Sequence, residues 1–395
     1  MIGKLDTAHR RLYIFFLAGF AVFGMIFTIV GAALPQLIRD YQWSYAATGI
    51  VLAASAVGYF LSTFFCGHLV QRIPAKAVLV TGLAIGAVSV SLFGRSPSPW
   101  LNLGLNLAIG LCQGAMELVA NLEIIHMERD GQSRLMNLLH ATFCIGAIAG
   151  PSAVGYISGT GASMLSVFLA AGILLVAMAV LFGFVRFPRT SQEKGSTRGP
   201  GLRLMREPIL VLLTLLLLVY VGTEIGVFSW SSEYFVQVLG SAASQGAYAV
   251  ALVWGGLFVG RLAVSFWYKG RRQEVLMLAL SIFSAAMLLV VLLVHSTPAV
   301  VIALFLTGLG FSGFYPLAMS VVGRYYKSGV AVGTAATGGA AGSIMFPFLM
   351  SILSQTIGIR GGFWFYLGLN CILVILSGVL ARMVRRRAGE AGIYG

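Results

Sequence analysis

Twelve stretches of this chain each run for about 20 mostly apolar residues, the length of helix that crosses the hydrocarbon core of a bilayer. They cover residues 12–34, 47–70, 77–94, 100–124, 135–157, 163–185, 208–232, 245–268, 274–294, 299–322, 330–354 and 362–384. Lipid offers the backbone no hydrogen bonds, so only helices and closed barrels span it. Barrel strands are about 9–11 residues long and alternate in polarity, which these continuous runs do not. The first run is too long, and is followed by too many others, to be a cleaved signal peptide. The spacing therefore predicts an all-α membrane protein with twelve transmembrane helices.

Composition agrees. Of 395 residues, 58% are hydrophobic and 10% charged, against about 45–50% and about 25% in soluble domains. A soluble enzyme, a secreted disulfide scaffold and a disordered chain are all excluded. Cys66, Cys112, Cys144 and Cys371 sit inside apolar runs with no CxxC pair, so they read as small buried hydrophobes.

The formal charge of +14, from 26 Lys and Arg against 12 Asp and Glu, would suggest nucleic acid in a soluble protein. Position along the chain gives another reading. Alternate loops on one side carry Lys4, Arg10, Arg11, Arg72, Lys76, Arg129, Arg134 and six cations between 186 and 206. The same side carries Lys269, Arg271, Arg272, Arg324, Lys327, Arg382 and Arg385–Arg387, making 22. The opposite loops hold 3, Arg39, Arg95 and Arg360, and Arg261 lies within a span. Cations collect on the cytoplasmic side. Both termini are therefore expected in the cytoplasm, the bilayer is the partner, nucleic acid is not, and the location is a plasma (bacterial inner) membrane.

The longest connection, 187–207, is rich in Gly, Ser, Pro and charge and reads as a flexible linker. It divides the chain into an N-terminal six-helix bundle (1–186) and a C-terminal one (208–395). The halves echo each other. Gly146 and Pro151 in span five return as Gly342 and Pro347 in span eleven, both 196 residues later. Gly58 and Gly67 are also echoed by Gly256 and Gly260, though with different spacing. Two pseudo-symmetric halves around a midplane site form a recurrent transporter design.

Ionisable groups inside a membrane are costly and point to function by default. Asp6, Asp40, Glu128, Asp130, Glu193, Glu207, Glu274 and Glu390 fall in loops, Glu123 at the cytoplasmic mouth of span four, and Glu233 at the outer end of span seven. Glu117 and Glu224 remain inside. Gln113, Glu117 and Asn121 are spaced by four and share one helical face. A protonatable carboxylate flanked by two amides suits a hydroxyl-rich solute or a carried proton; a polar cluster joining helices is the alternative. Tyr220, Glu224 and Ser231 share a face of span seven, with Thr223, Trp230 and Tyr234 on an adjoining one. Hydrogen-bonding groups beside aromatic rings are what a sugar site needs, although Trp230 and Tyr234 equally suit interfacial anchors. In span five, Asn137, His140 and Cys144 recur at helical spacing, and His140 both donates and accepts. Tyr315, Trp254, Asn370 and Tyr59 are further candidates for which packing is the competing reading. His9, His68, His126 and His295 lie at loops or boundaries.

The chain contains no P-loop, GxSxG or HExxH element and no Cys/His set for zinc, so neither an enzyme nor a cofactor is expected. A gradient, of protons or sodium, is left to drive movement of a small molecule, and a monomer suffices.

The loop Gly67-His68-Leu69-Val70-Gln71-Arg72 resembles the Gly-x-x-x-Asp-Arg signature of the major facilitator superfamily, with Gln71 where the acid is usual. By that resemblance Arg72, and Arg261 in the second copy, would form a cytoplasmic lock. Glu117-Leu118-Val119-Ala120-Asn121, Asn137-Leu138-Leu139-His140 and Tyr220-Val221-Gly222-Thr223-Glu224 with Trp230 resemble elements of the fucose permease-like sugar–cation symporters. The resemblance implies that Glu117 couples protons, with Glu224 a second candidate, and that Asn137, His140 and Glu224 line a sugar site. The family's Asn-Asp pair in the first helix is absent, since Gly24–Gly31 holds no acid. A single-acid mechanism, sodium coupling and uncoupled transport stay open. Gly146, Gly150, Pro151 and Gly155 resemble instead a signature of drug-exporting antiporters, which keeps export as the alternative. A transporter-like sensor that moves nothing is the third reading.

Overall fold

A computed structural model of the chain describes residues 6–43, 45–128, 133–160, 163–187, 204, 206–240, 243–268 and 272–390. Among the described residues the regular structure is helical throughout. In chain order the helices are α1 (Thr7–Tyr41), α2 (Tyr45–Leu69), α3 (Ala75–Leu92), α4 (Pro99–Met127), α5 (Arg134–Thr160) and α6 (Leu165–Phe184). Then follow α7 (Pro208–Gln237), α8 (Ala243–Trp267), α9 (Gln273–Leu293), α10 (Thr297–Tyr325), α11 (Gly329–Ser354) and α12 (Thr356–Arg387). The last two belong to one run of helix interrupted at Gly358, whose φ of 73° and ψ of 170° only glycine adopts readily.

Eleven of these helices are long and apolar enough to cross a membrane, and the apolar part of α8, Leu252–Trp267, is shorter. All twelve runs read from the sequence are thus helical, and the protein is a multi-pass membrane protein. Local chemistry sets several ends. Asp6 caps α1 by accepting the His9 N–H at 2.9 Å. Pro99 and Pro208 open α4 and α7 at the position where a missing N–H costs nothing.

The span read at 299–322 falls within α10, and the structure adds a break inside it: Thr297–Phe311 and Phe314–Tyr325 are joined by Ser312 and Gly313. Pro316 is the physical reason, because it removes an N–H and crowds the carbonyl four residues before it.

The chain forms two compact units. The first comprises Met1–Met127, Leu138–Gly201 and Lys327–Thr334; the second comprises Glu128–Asn137, Leu202–Tyr326 and Ala335–Gly395. The short starts of α5 and α11 thus group apart from the rest of their helices, a detail that hydropathy does not encode. The expected linker, apart from residues 187, 204, 206 and 207, lies outside the described residues, as do Lys4, Arg129, Asp130, Lys269 and Arg271.

Polarity runs inside out. Ile173, Val176 and Val180 of α6 and Ile375 of α12 are exposed, while Gln113, Glu117, Asn121, His140, Glu224 and Arg261 are buried. Lipid tolerates apolar side chains, so the polar ones turn inward.

Close helix crossings expose the internal duplication. In the first unit a Cβ on Gly58 would meet the Leu107 carbonyl oxygen at 2.0 Å, and one on Gly110 the Ser55 oxygen at 2.0 Å. In the second unit a Cβ on Gly256 would meet the Phe305 carbonyl oxygen at 2.0 Å, and one on Gly308 the Val253 oxygen at 2.2 Å. The four positions of the α2–α4 crossing recur 198 positions later in the α8–α10 crossing, with both glycines kept and Ser55 and Leu107 replaced by Val253 and Phe305. Only glycine lets backbones approach so closely.

Candidate functional site

Each unit holds a buried polar cluster among its described residues. In the first, α4 presents Gln113, Glu117 and Asn121 along a single face, at relative exposures of 3%, 7% and 0%. The α2–α4 crossing brings Ser55 to this face, where its hydroxyl donates to Gln113 Oε1 at 3.2 Å. From α5, His140 Nε2 lies 3.2 Å from Asn121 Oδ1. Phe20 of α1 meets the imidazole edge-on, with ring centroids 5.2 Å apart and planes at 82°. The Asn121 Nδ2 amide has no partner among the described residues. A carboxyl, two amides and an imidazole therefore converge from α4 and α5 beside an aromatic ring. That set donates and accepts in several directions, which is what a polyhydroxylated solute needs.

Asn137 belongs to the second unit, and its Nδ2 donates to the Ser133 carbonyl at 2.8 Å, within the first turn of α5. Its Oδ1 lacks a partner among the described residues.

In the second unit, Tyr220 and Glu224 are one turn apart on α7, and the Tyr220 hydroxyl donates to Glu224 Oε1 at 2.8 Å. The same hydroxyl lies 2.8 Å from the Phe311 carbonyl, and the ring stacks on Phe314 at 4.8 Å and 18°. Arg261 of α8 completes the cluster. Its guanidinium is 3.7 Å from Glu224 Oε1, and its Nε donates to the Ser312 carbonyl at 3.1 Å. The sequence reading places Arg261 within a span and, by resemblance, makes it part of a cytoplasmic lock. The structure buries it, at 5% exposure, against an acid of the neighbouring helix. Arg72 lies exposed in the turn after α2, and its guanidinium has no ion pair among the described residues.

Other candidates separate by their partners. Asn370 of α12 is fully buried, and its Nδ2 donates to Ser284 Oγ of α9 at 3.0 Å, a helix-joining bond. Trp254 packs on Phe228 with centroids 4.6 Å apart. Tyr315 is buried beside Gly339, at the position 198 residues after Glu117. Trp230 is half-buried near the end of α7, and the Tyr234 hydroxyl donates to the Val291 carbonyl at 3.0 Å. The side chain of Glu233 is outside the described residues. No group of three His, Cys, Asp or Glu among the described residues is placed to hold a metal ion.

Two acids that the sequence reading puts in loops are engaged. Glu274 lies in the first turn of α9, buried, 3.6 Å from Arg324. Glu128 accepts the Met136 N–H at 3.0 Å and the Ser320 hydroxyl at 2.9 Å, and burial pushes its carboxyl up to about 8. Glu128 stands six residues before α5, too far for a sequence capping signal, and its reach to Met136 and Ser320 is set by the tertiary structure.

The family model of the Major Facilitator Superfamily matches residues 15–269 and 244–392. "Bypass of stop codon protein 6" of Saccharomyces cerevisiae is 24% identical over 90% of this chain and 78% of its own length. A glucose/galactose transporter of Brucella abortus is 24% identical over 91% of this chain and 92% of its own. The crystal structure of the E. coli fucose:proton symporter FucP has a TM-score of 0.78 at 18% identity, covering 94% of this chain and 99% of that one. That last likeness speaks for the fold.

Proposed function

The chain belongs to the Major Facilitator Superfamily, a family of transporters and not of enzymes, and from that premise we propose that it carries a sugar-like polar solute across the cytoplasmic membrane by alternating access, coupled to protons or sodium. The observation that carries this reading is the first unit's cluster, in which Glu117 stands between two amides of one helix face, close to an imidazole held by one of them. The similarity to a glucose/galactose transporter over nearly the whole chain supports the substrate class. In this reading Glu117 changes protonation as its surroundings become wetter or drier, since a dry environment favours the neutral acid. Glu224 serves as the second candidate acid, and both termini face the cytoplasm.

Uptake of a panel of labelled monosaccharides into proteoliposomes, with and without proton or sodium gradients, tests the proposal. Accumulation of at least one sugar under one gradient is expected. If no sugar enters or exchanges, the substrate class is wrong.

A second reading, proton-driven export of amphipathic compounds, is favoured by the α5 element Gly146–Gly150–Pro151. There a Cβ on Gly146 would meet the Ala21 carbonyl of α1 at 1.7 Å. It predicts that expression raises resistance to a toxic compound and that sugars do not compete.

A further inference from the structure

The break in α10 leaves a debt of hydrogen bonds inside the membrane. Pro316 has no N–H, and the carbonyl four residues before it, that of Ser312, therefore loses its helical donor. Phe311, the last residue of the first piece, presents its carbonyl at the same break. An unpaired carbonyl in a water-free interior is costly, so a donor must come from elsewhere.

For Ser312 it comes from another helix. Arg261 Nε of α8 donates to the Ser312 oxygen at 3.1 Å, and the Tyr220 hydroxyl of α7 shares its one proton between Glu224 Oε1 and the Phe311 oxygen, each 2.8 Å away. Tyr220 is fully buried and Arg261 nearly so. Glu224 lies within 2.8 Å of the hydroxyl and 3.7 Å of the guanidinium, so one carboxylate holds both donors and supplies the counter-charge. Arginine suits this place because its planar fork presents Nε–H and a terminal N–H in fixed relation, one to each acceptor.

We infer that Arg261 is a positioning residue for the broken helix: its Nε–H stands in for the N–H that Pro316 lacks, and Glu224 keeps the guanidinium in that place. The second piece of α10 starts with Phe314 and Tyr315, so the angle fixed at the break sets where Tyr315 stands. The geometry lies wholly in the second unit and does not depend on the identity of the solute or the ion.

Thermal unfolding of the full chain in detergent tests this with a rescue. Arg261→Met with Glu224→Gln removes donor and charge together, leaving no unpaired buried ion. Its midpoint should fall by about 4 °C or more. Adding Pro316→Ala restores a backbone N–H to Ser312 and should recover at least half of that loss, while the same change in the otherwise unaltered protein gives a smaller gain. A general packing role for Arg261 would not be relieved at position 316. If Pro316→Ala shifts both backgrounds equally, the inference is overturned. Should the double variant fail to fold, Arg261→Lys, which keeps the charge and loses the fork, takes its place in the same comparison.

Discussion

Asn121 and His140 face each other across α4 and α5 at 3.2 Å, joining Oδ1 to Nε2 and leaving the Asn121 amide nitrogen unpartnered among the described residues. A buried donor without a partner is expensive, so this one marks where a solute oxygen gains most. His140→Gln keeps a donor and an acceptor and should retain solute binding. His140→Ala should weaken it by about tenfold, the size of one hydrogen bond. Ligand-induced thermal stabilisation over a sugar concentration series reads the difference, and equal stabilisation of the two variants would remove His140 from the site.

Glu117→Gln preserves shape and hydrogen bonding but cannot take up a proton. Gradient-driven accumulation in proteoliposomes should fall at least about tenfold, while exchange of solute across the membrane without a gradient persists, because only the charged form's differential stability couples the two. Loss of exchange and accumulation together would make Glu117 a solute ligand and not a coupling group.

Glu224→Gln by itself leaves the Arg261 cation buried and uncompensated. Breaking a buried pair on one side costs about 3–5 kcal/mol, more than removing both partners. The single variant should therefore unfold at a lower temperature than Glu224→Gln combined with Arg261→Met. The reverse order of midpoints would show that the 3.7 Å pair contributes little.

Asn370→Leu breaks the bond to Ser284 between α12 and α9. The expected loss is about 1–3 kcal/mol of stability, from the polar partner left behind, with unchanged apparent affinity for the transported solute. A changed affinity at constant stability would return Asn370 to the binding site.

Glu128 gives a pH dependence with a definite sign. Its carboxyl is raised from the ordinary 4.5 to about 8 in the folded protein. Between those values the folded state holds the proton and the unfolded state does not, so stability falls as pH rises. The contribution is complete below about 4.5 and gone once pH passes about 8. The thermal midpoint should drop across that window and level off above it, and Glu128→Gln should lack this component. An identical slope in the variant would place the titration elsewhere.

The number and order of spans were legible because the length and polarity of a segment are local properties. So was the burial of Glu117 and Glu224, since an acid deep in an apolar run has only the protein interior to turn to. The repeat was legible in part. Gly146 and Gly342 pointed to it, yet the closer correspondence, Gly58 with Leu107 repeated as Gly256 with Phe305 198 positions on, emerges only when the helices cross. The same offset pairs Glu117 with Tyr315. The duplicated halves thus kept the backbone contacts and diverged in the groups that face inward.

Partner choice was not legible. Arg261 reads as the start of a second loop motif and is bonded to Ser312; Asn370 reads as either a solute ligand or a packing residue and is bonded to Ser284. The sequence by itself determined that this chain is a multi-pass helical membrane protein and which few polar side chains it hides, because hydrophobic length and the cost of a charge in lipid act residue by residue. Only the tertiary structure decided which of those side chains meet, because a hydrogen bond reaches about 3 Å and its partner lies on whichever helix the glycine crossings bring alongside.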